Sequence, residues 1–358
     1  MDSKTRIYSL DYLRGLMASS IMIFHFCTWQ IGEFSSSHIL GKLGIYGVSI
    51  FYILSGLTLY KVYYKKFNAP TLAIDVKHFF IKRVFRIIPL LSLVSIITFF
   101  AGKHHDIERL LLNITGLFGF IAPEKYVAVG AWSIGNELVF YAFFPIVIIL
   151  LKRHIKLFFL FCALMMVLSL IFSAYLLNPA SPLGEPNQWK LYVNPFNQFY
   201  LFLSGIIIGY LIDQSKFAFL KTLETRTQSF LIIIVVFILV VIPVSGGEIM
   251  LVTGYNRIIF SILSILLSGL FYVYRGSFGS LINGFLKLTG DISYSIYLLH
   301  PLCFFFLQRL LKINSMWIIP VSIILTYISS YLIYRFFESV FVKLGNRLCS
   351  KQTDKQLI

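Results

Sequence analysis

The chain runs to 358 residues, of which 58% are hydrophobic and only 13% charged, and its mean hydropathy is +0.82. No water-soluble globule of this length needs such a composition, so a polytopic membrane protein is expected. The formal net charge of +16 reads mainly as a topology signal, with anionic lipids or an anionic cosubstrate as further partners of the inner surface; it gives no reason to invoke nucleic acid.

Ten apolar blocks, each near the ~20 residues that a helix needs to cross a bilayer, lie at 10–30, 44–64, 84–101, 132–151, 157–177, 196–212, 229–244, 256–274, 288–308 and 316–337. They are continuous rather than alternating, which disfavours the strands of a barrel. The expected fold class is therefore all-α and polytopic, with about ten transmembrane helices in one domain over residues 1–345 and a short polar cytoplasmic tail at 346–358. Ten crossings put both termini on one side. Of the Lys and Arg residues, 21 fall on that side and 8 on the other, so both termini are expected in the cytoplasm. Lys4 and Arg6 precede the first block as they would a signal peptide. That block lacks a clear small-residue exit and exceeds a usual signal core, so an uncleaved helix is expected. Cys27, Cys162, Cys303 and Cys349 show no CxxC and no regular spacing; they read as packing residues, not as disulfides or metal ligands.

The first block opens on "SLDYLRGLMASSIMIFHF" at 9–26. Arg14 and His25 are eleven residues apart, about 1100° of helix and only ~20° from three full turns, so they face the same way with about 16 Å between them along the axis. Ionisable groups at such depth are costly and usually face protein or a water-filled cavity. Two accounts stay open: Asp11 and Arg14 form an interfacial pair while His25 bonds a neighbouring helix, or this face serves a reaction. The third block enters through "KHFFIKRVFRIIPL", with Arg83 and Arg86 one turn apart beside Lys82. Snorkelling and topology account for such residues, and so does a clamp for phosphates.

Residues 102–131 still contain the apolar "LLLNITGLFGFI" and are expected to hold a re-entrant or interfacial segment on the outer side. Asn113-Ile114-Thr115 fits a glycosylation sequon, a pattern short enough to be accidental. In "GAWSIGNELVFY", Trp132 has the place of an interfacial anchor. Glu137 falls in the second turn, Tyr141 one turn deeper, and a buried carboxylate there needs a partner such as His25 or an arginine. The outer stretch at 178–198 has four prolines and is expected to be irregular and able to cover a site. Gly205 and Gly209 form a small-xxx-small pair for close helix packing. In "GDISYSIYLLHPL", Tyr297 stands one turn before His300, Asp291 falls on the opposite face, and Pro301 is expected to kink the helix.

Taken together, "LDYLRG" with the Arg14-x10-His25 spacing, "FYILSG" at 51–56, "KRVFRIIP" at 82–89, "WSIGNELVFY" at 132–141, "GDISYSIYLLHP" at 290–301 and a late Glu338 resemble the integral-membrane acyltransferase 3 family over nearly the whole chain. The resemblance implies a multi-pass protein of the bacterial cytoplasmic (inner) membrane. Its members modify extracytoplasmic glycans such as O-antigen, capsule, exopolysaccharide or cell-wall sugars, usually by O-acetylation from acetyl-CoA. It also implies that His25 is the family's essential histidine, Arg14 its helix-one arginine, and Arg83 with Arg86 its Arg-x-x-Arg pair. Some members add a hydrolase-like C-terminal domain. This sequence ends after the tenth block, so transfer is expected to be completed within the membrane domain or by a separate partner.

The expected mechanism follows the shape of the cosubstrate. Arg83, Arg86 and Arg14 hold the phosphates of an acyl-CoA at the cytoplasmic face, and the arm rises along the first helix toward His25. A hydroxyl of a glycan or lipid-linked glycan arrives from outside. Neutral His25 acts as general base or carries the acyl group itself. Glu137 is assigned to the imidazolium, provided that the fourth helix packs near the first, and Asp11, Trp132, Tyr141, Tyr297 and His300 to support or substrate binding. The alternative is a proton-coupled exporter or flippase of a glycan or small molecule; such transporters often show repeated halves and paired broken helices, which this sequence lacks.

Overall fold

A backbone in lipid must satisfy its own polar groups, and continuous apolar runs do so as helices. The computed structural model describes residues 6–68, 70–102, 106–214, 217–309, 312 and 315–354, and among them every predicted block is helical. In chain order the helices are α1 (Tyr8–Ile31), α2 (Ile39–Tyr63), α3 (Leu72–Ala101), α4 (Ile107–Thr115), α5 (Phe118–Ile121), α6 (Trp132–Arg153) and α7 (Ile155–Ile171). They continue as α8 (Pro186–Tyr192), α9 (Pro195–Asp213), α10 (Thr225–Val241), α11 (Gly254–Val273), α12 (Ser280–Asp291), α13 (Ser293–Arg309), α14 (Ile318–Ile333) and α15 (Ser339–Asp354). No strand occurs among the described residues.

Seven helical stretches are long and apolar enough to cross a membrane, eight if the pair α12 and α13, interrupted at Ile292, counts as one. The protein is thus an all-helical, multi-pass membrane protein. Two of the ten predicted spans fall outside that set for different reasons. α1 has the length, 24 residues, but carries Asp11, Arg14, His25 and several hydroxyls. α10 is apolar but has 17 residues, roughly 25 Å of helix against a hydrocarbon core of about 30 Å.

The chain divides into two units, Met1–Tyr64 with Lys156–Ser293, and Lys65–Ile155 with Tyr294–Ile358. In the first unit α2 lies along α9 and against α1, and α1 also packs on α12. The small residues set these approaches. A Cβ on Gly205 would stand 2.0 Å from the carbonyl oxygen of Ile53, one on Gly56 2.0 Å from that of Phe202, and one on Gly209 2.5 Å from the Tyr60 ring. The paired glycines read from the sequence therefore do bring two backbones into contact. Gly15 and Gly290 do the same for α1 and α12, since a Cβ on Gly15 would lie 2.7 Å from the Gly290 nitrogen. Gly205→Val is accordingly expected to push α2 and α9 apart at a cost of about 1–3 kcal/mol or more. Gly269→Ala, whose Cβ meets nothing closer than 3.4 Å, should leave thermal unfolding in detergent unchanged; equal melting temperatures for the two variants would refute the backbone contact.

The second unit is built on α3, which packs against α4, α6 and α15. It begins at Leu72 rather than near residue 84, so Lys77, Lys82, Arg83 and Arg86, expected in or beside a basic loop, are on the helix. At 30 residues it is about 45 Å long, more than a hydrocarbon core needs, and the charged turns are the surplus. Between α3 and α6 the chain forms the two short helices α4 and α5. Gly119 on α5 seats directly on Gly135 of α6, where a Cβ would lie 2.4 Å from the Gly135 oxygen.

Two expectations change, and the accidental reading of the Asn113 sequon stands. Residues 178–198 are not irregular throughout: they include α8, and Pro186 and Pro195 occupy helix starts, where a missing N–H costs nothing. The ninth predicted block is broken at Ile292, where α12 and α13 meet at 72°, while Pro301 lies inside α13, which runs continuously from Ser293 to Arg309; the helical-wheel relation between Asp291 and His300 therefore does not hold. Asn113 is fully buried and bonded through Nδ2 to the carbonyls of Arg109 and Lys125 and through Oδ1 to the Val127 N–H, a structural use that leaves no room for a glycan. The polar tail continues α15 to Asp354; residues 355–358 lie outside the described residues.

Candidate active site

The first unit holds Asp11, Arg14 and His25 on α1, which runs without a break from Tyr8 to Ile31, so Arg14 and His25 keep their shared face. Asp11 sits between two arginines, accepting from Arg6 Nε at 2.7 Å and from Arg14 Nη1 at 3.0 Å. Arg6 also bridges to Asp291, tying the start of α1 to the end of α12. Partial burial opposes the charge on Arg6, but the hydrogen bonds to Asp291 and Asp11 outweigh it and hold its pKa above the usual arginine value. Arg14 Nη2 reaches Thr58 Oγ1 of α2 at 3.2 Å. The interfacial Asp11–Arg14 pair is thus present, as part of a larger network.

The His25 ring is half-buried and lies parallel to Trp29, centroids 5.1 Å apart at 10°, with Phe24 tilted beside it at 5.3 Å. The stack is an i, i+4 contact on one helix face. Trp29 was not singled out from the sequence, although this spacing alone pointed to it.

The other predicted residues belong to the second unit. Arg83 lies over the Tyr141 ring at 5.5 Å and over Phe79 at 5.9 Å, while Tyr141 Oη donates to Glu137 Oε1. Arg83, Tyr141 and Glu137 therefore form one connected group, with an arginine plane held by aromatic faces. Arg86, one turn on, is exposed; with Glu137, Glu338 and Tyr141 it lies within electrostatic reach of Tyr294, whose hydroxyl donates to the Ile87 carbonyl at 2.8 Å. Glu338 stands in a π-helical turn, Tyr334–Glu338, and accepts from Ser295 Oγ at 3.0 Å.

Trp132, the first residue of α6, is buried rather than exposed as an interfacial anchor. Tyr297 and His300 have local partners. Tyr297 Oη donates to the Gly130 carbonyl at 3.0 Å and lies 2.8 Å from Ser133 Oγ; Gly130 can present that carbonyl because it adopts φ 81°, a conformation that suits glycine. His300 Nδ1 stands 3.1 Å from the Ile296 carbonyl. These two residues brace α13 and the entry to α6. Chemically, the second unit offers arginines suited to phosphates and a carboxylate held by a phenol. The first offers an imidazole half a bilayer away from an arginine on the same face.

Comparison with known proteins adds the family. Residues 7–335 match the family model described as "Acyltransferase domain", acyltransferase 3. A curated protein of Staphylococcus aureus strain COL, named "Putative O-acetyltransferase", is 25% identical over 374 residues, covering 95% of this chain and 58% of that protein. One of the same description from strain MSSA476 is 24% identical over 371 residues, covering 94% and 57%. The chain thus spans less than two thirds of the length of these curated relatives. No solved structure matches it closely enough to compare.

Proposed function

This chain belongs to the acyltransferase 3 family, and from that membership we propose that it is a membrane-embedded O-acyltransferase, moving an acetyl group from acetyl-CoA to a hydroxyl of an extracytoplasmic glycan. The observation that carries the reading is α1: in a chain matched to this family from residue 7 to 335, one unbroken helix keeps Arg14 and His25 on one face. The asymmetry of 21 against 8 basic residues supports ten crossings of a bacterial cytoplasmic membrane with both termini inside, α1 and α10 supplying the two spans beyond the eight. Reporter fusions that place either terminus outside would overturn that topology.

The roles divide by chemistry. Arg83 and Arg86, with Arg14, take the phosphates of the acyl-CoA as planar donors to oxyanions. The imidazole of His25 takes the proton of the acceptor hydroxyl as its oxygen attacks the thioester carbonyl, and returns it to the departing thiolate. In the covalent variant the imidazole attacks the thioester first and expels the CoA thiolate, which leaves with the ring's proton; the acceptor hydroxyl then attacks the acyl-imidazole, and its proton returns to the freed ring. Membranes containing the protein, given labelled acetyl-CoA and the surface glycans of a bacterium lacking it, should label the glycan; no glycan label from any acyl-CoA overturns the reading.

Glu137→Gln keeps shape and removes charge from the Tyr141 contact. If Glu137 must be ionised, the turnover number should fall roughly ten- to hundredfold, the worth of one hydrogen bond to a charged group. Full activity in that variant removes Glu137 from the mechanism.

A further inference from the structure

The ninth predicted block is divided between α12 and α13, and α12 is too short to cross by itself. Its 12 residues make about 18 Å of helix against a hydrocarbon core of about 30 Å. At 72° to α13, it is nearer to the plane of a membrane that α13 crosses than to its normal. α12 also has its own start. Gly279 takes φ 86°, and the Asn283 side chain accepts from the Phe278 N–H at 3.2 Å and donates to Ser277 Oγ at 2.6 Å, closing the turn that leads in.

The level at which α12 lies follows from its neighbours in the first unit. α11 is long and apolar enough to cross and ends at Val273. Its last turn meets the first turn of α1, where Ser9 Oγ donates to the Phe271 carbonyl at 2.6 Å. α12 joins them there. Thr289 and Gly290 are buried, and a Cβ on Gly290 would lie 2.4 Å from the Asp11 carbonyl oxygen. Lys287 Nζ stands 5.2 Å from the centre of the Tyr8 ring, and Asp291 bonds Arg6. The end of one crossing helix and the start of another mark a membrane boundary, so α12 lies on it.

What α12 turns away from α1 is apolar. Leu281, Ile282, Phe285 and Leu288 are exposed, Leu281 at 85%, and they fall within about 120° of the helix circumference. Gly290, which meets α1, is about 180° from Leu281, and Lys287 about 120°. An apolar stripe opposite a polar, charged face is the pattern of a helix that lies in the plane of a bilayer. We infer that α12 is an interfacial helix, with Leu281, Ile282, Phe285 and Leu288 seated in the acyl-chain boundary of the phospholipid leaflet at the start of α1. By the proposed topology that leaflet is the cytoplasmic one, and the ninth crossing begins at Ser293 rather than at residue 288. The inference rests on the multi-pass fold and not on the acyltransferase reading.

The test uses the purified full chain in vesicles of phosphatidylcholine and phosphatidylglycerol, with a nitroxide on one introduced cysteine at a time. The unsubstituted chain, treated with the same label, gives the background of its native cysteines to subtract. Leu281→Cys and Phe285→Cys sample the stripe. Ser280→Cys and Gly284→Cys are their immediate neighbours, at nearly the same place along the axis but turned by about 100°. All four positions are exposed, so the fold tolerates the label. Collisions with oxygen, which concentrates in lipid, should exceed those with a water-soluble nickel chelate at Leu281 and Phe285, at a depth of about 5–10 Å. The order should reverse at Ser280 and Gly284. Nickel favoured at all four positions overturns the inference, because the stripe then faces water. Oxygen favoured at all four, or a depth that grows steadily from Ser280 to Phe285, also overturns it, because α12 then enters the core as part of a span. Since nothing in this readout requires catalysis, a protein that gives the alternating pattern yet transfers no acetyl group would count against the acyltransferase reading alone.

Discussion

His25→Asn is expected to lower acyl transfer to the glycan by at least about a hundredfold while the protein still inserts and accumulates. Asparagine can hydrogen-bond, but it can neither accept the hydroxyl proton nor carry an acyl group. The structure sharpens the control. His25 stacks on Trp29, so a variant could lose activity merely by disturbing that pair. Trp29→Phe keeps an aromatic face beside the imidazole and is expected to retain most of the activity, whereas His25→Phe keeps an aromatic face beside Trp29 and should be inactive. A well-expressed His25→Asn protein that still acetylates its glycan would sink the assignment.

Arg83→Ala and Arg86→Ala should each raise the KM for acetyl-CoA roughly ten- to hundredfold, the range of a single hydrogen bond to a charged group, with assembly intact. The two positions should then part company. Arg83 is braced between Tyr141 and Phe79, so Arg83→Ala also forfeits about 0.5–1 kcal/mol of cation–π attraction and should melt slightly lower; exposed Arg86 should not. Lysine at either place should rescue only partly, because an ammonium lacks the planar fork. Unchanged donor dependence in both alanine variants would leave these arginines with topology as their only role.

Much of this was legible in advance for a plain reason: apolar length and helical period are local properties. The shared face of Arg14 and His25 survives because nothing interrupts α1, and Gly205 with Gly209 announces a close approach whose partner, α2, only the fold supplies. What was illegible depended on neighbours. Charge hid the first turns of α3, since Lys77, Lys82 and Arg83 look like loop by hydropathy alone. Pro186 and Pro195 look like breakers until one sees that they start helices, and Pro301 drew attention away from the true interruption at Ile292. Nothing in the sequence sets Arg257 apart from the other basic residues; its burial at two helix starts is a tertiary fact.

The bridge from Arg6 to Asp291 spans 285 residues of sequence, and this has a consequence for biosynthesis. At the ~5–20 residues per second of translation, α12 leaves the ribosome roughly 15 to 60 seconds after the start of α1. For that interval the Gly15 surface of α1 has no α12 to meet, and Arg6 has Asp11 but not yet Asp291 to bond, while Thr58 of α2 can already receive Arg14. Insertion of the first helix therefore relies on the hairpin it makes with the second, and a nascent chain stalled before residue 280 should leave that hairpin as the target of membrane quality control.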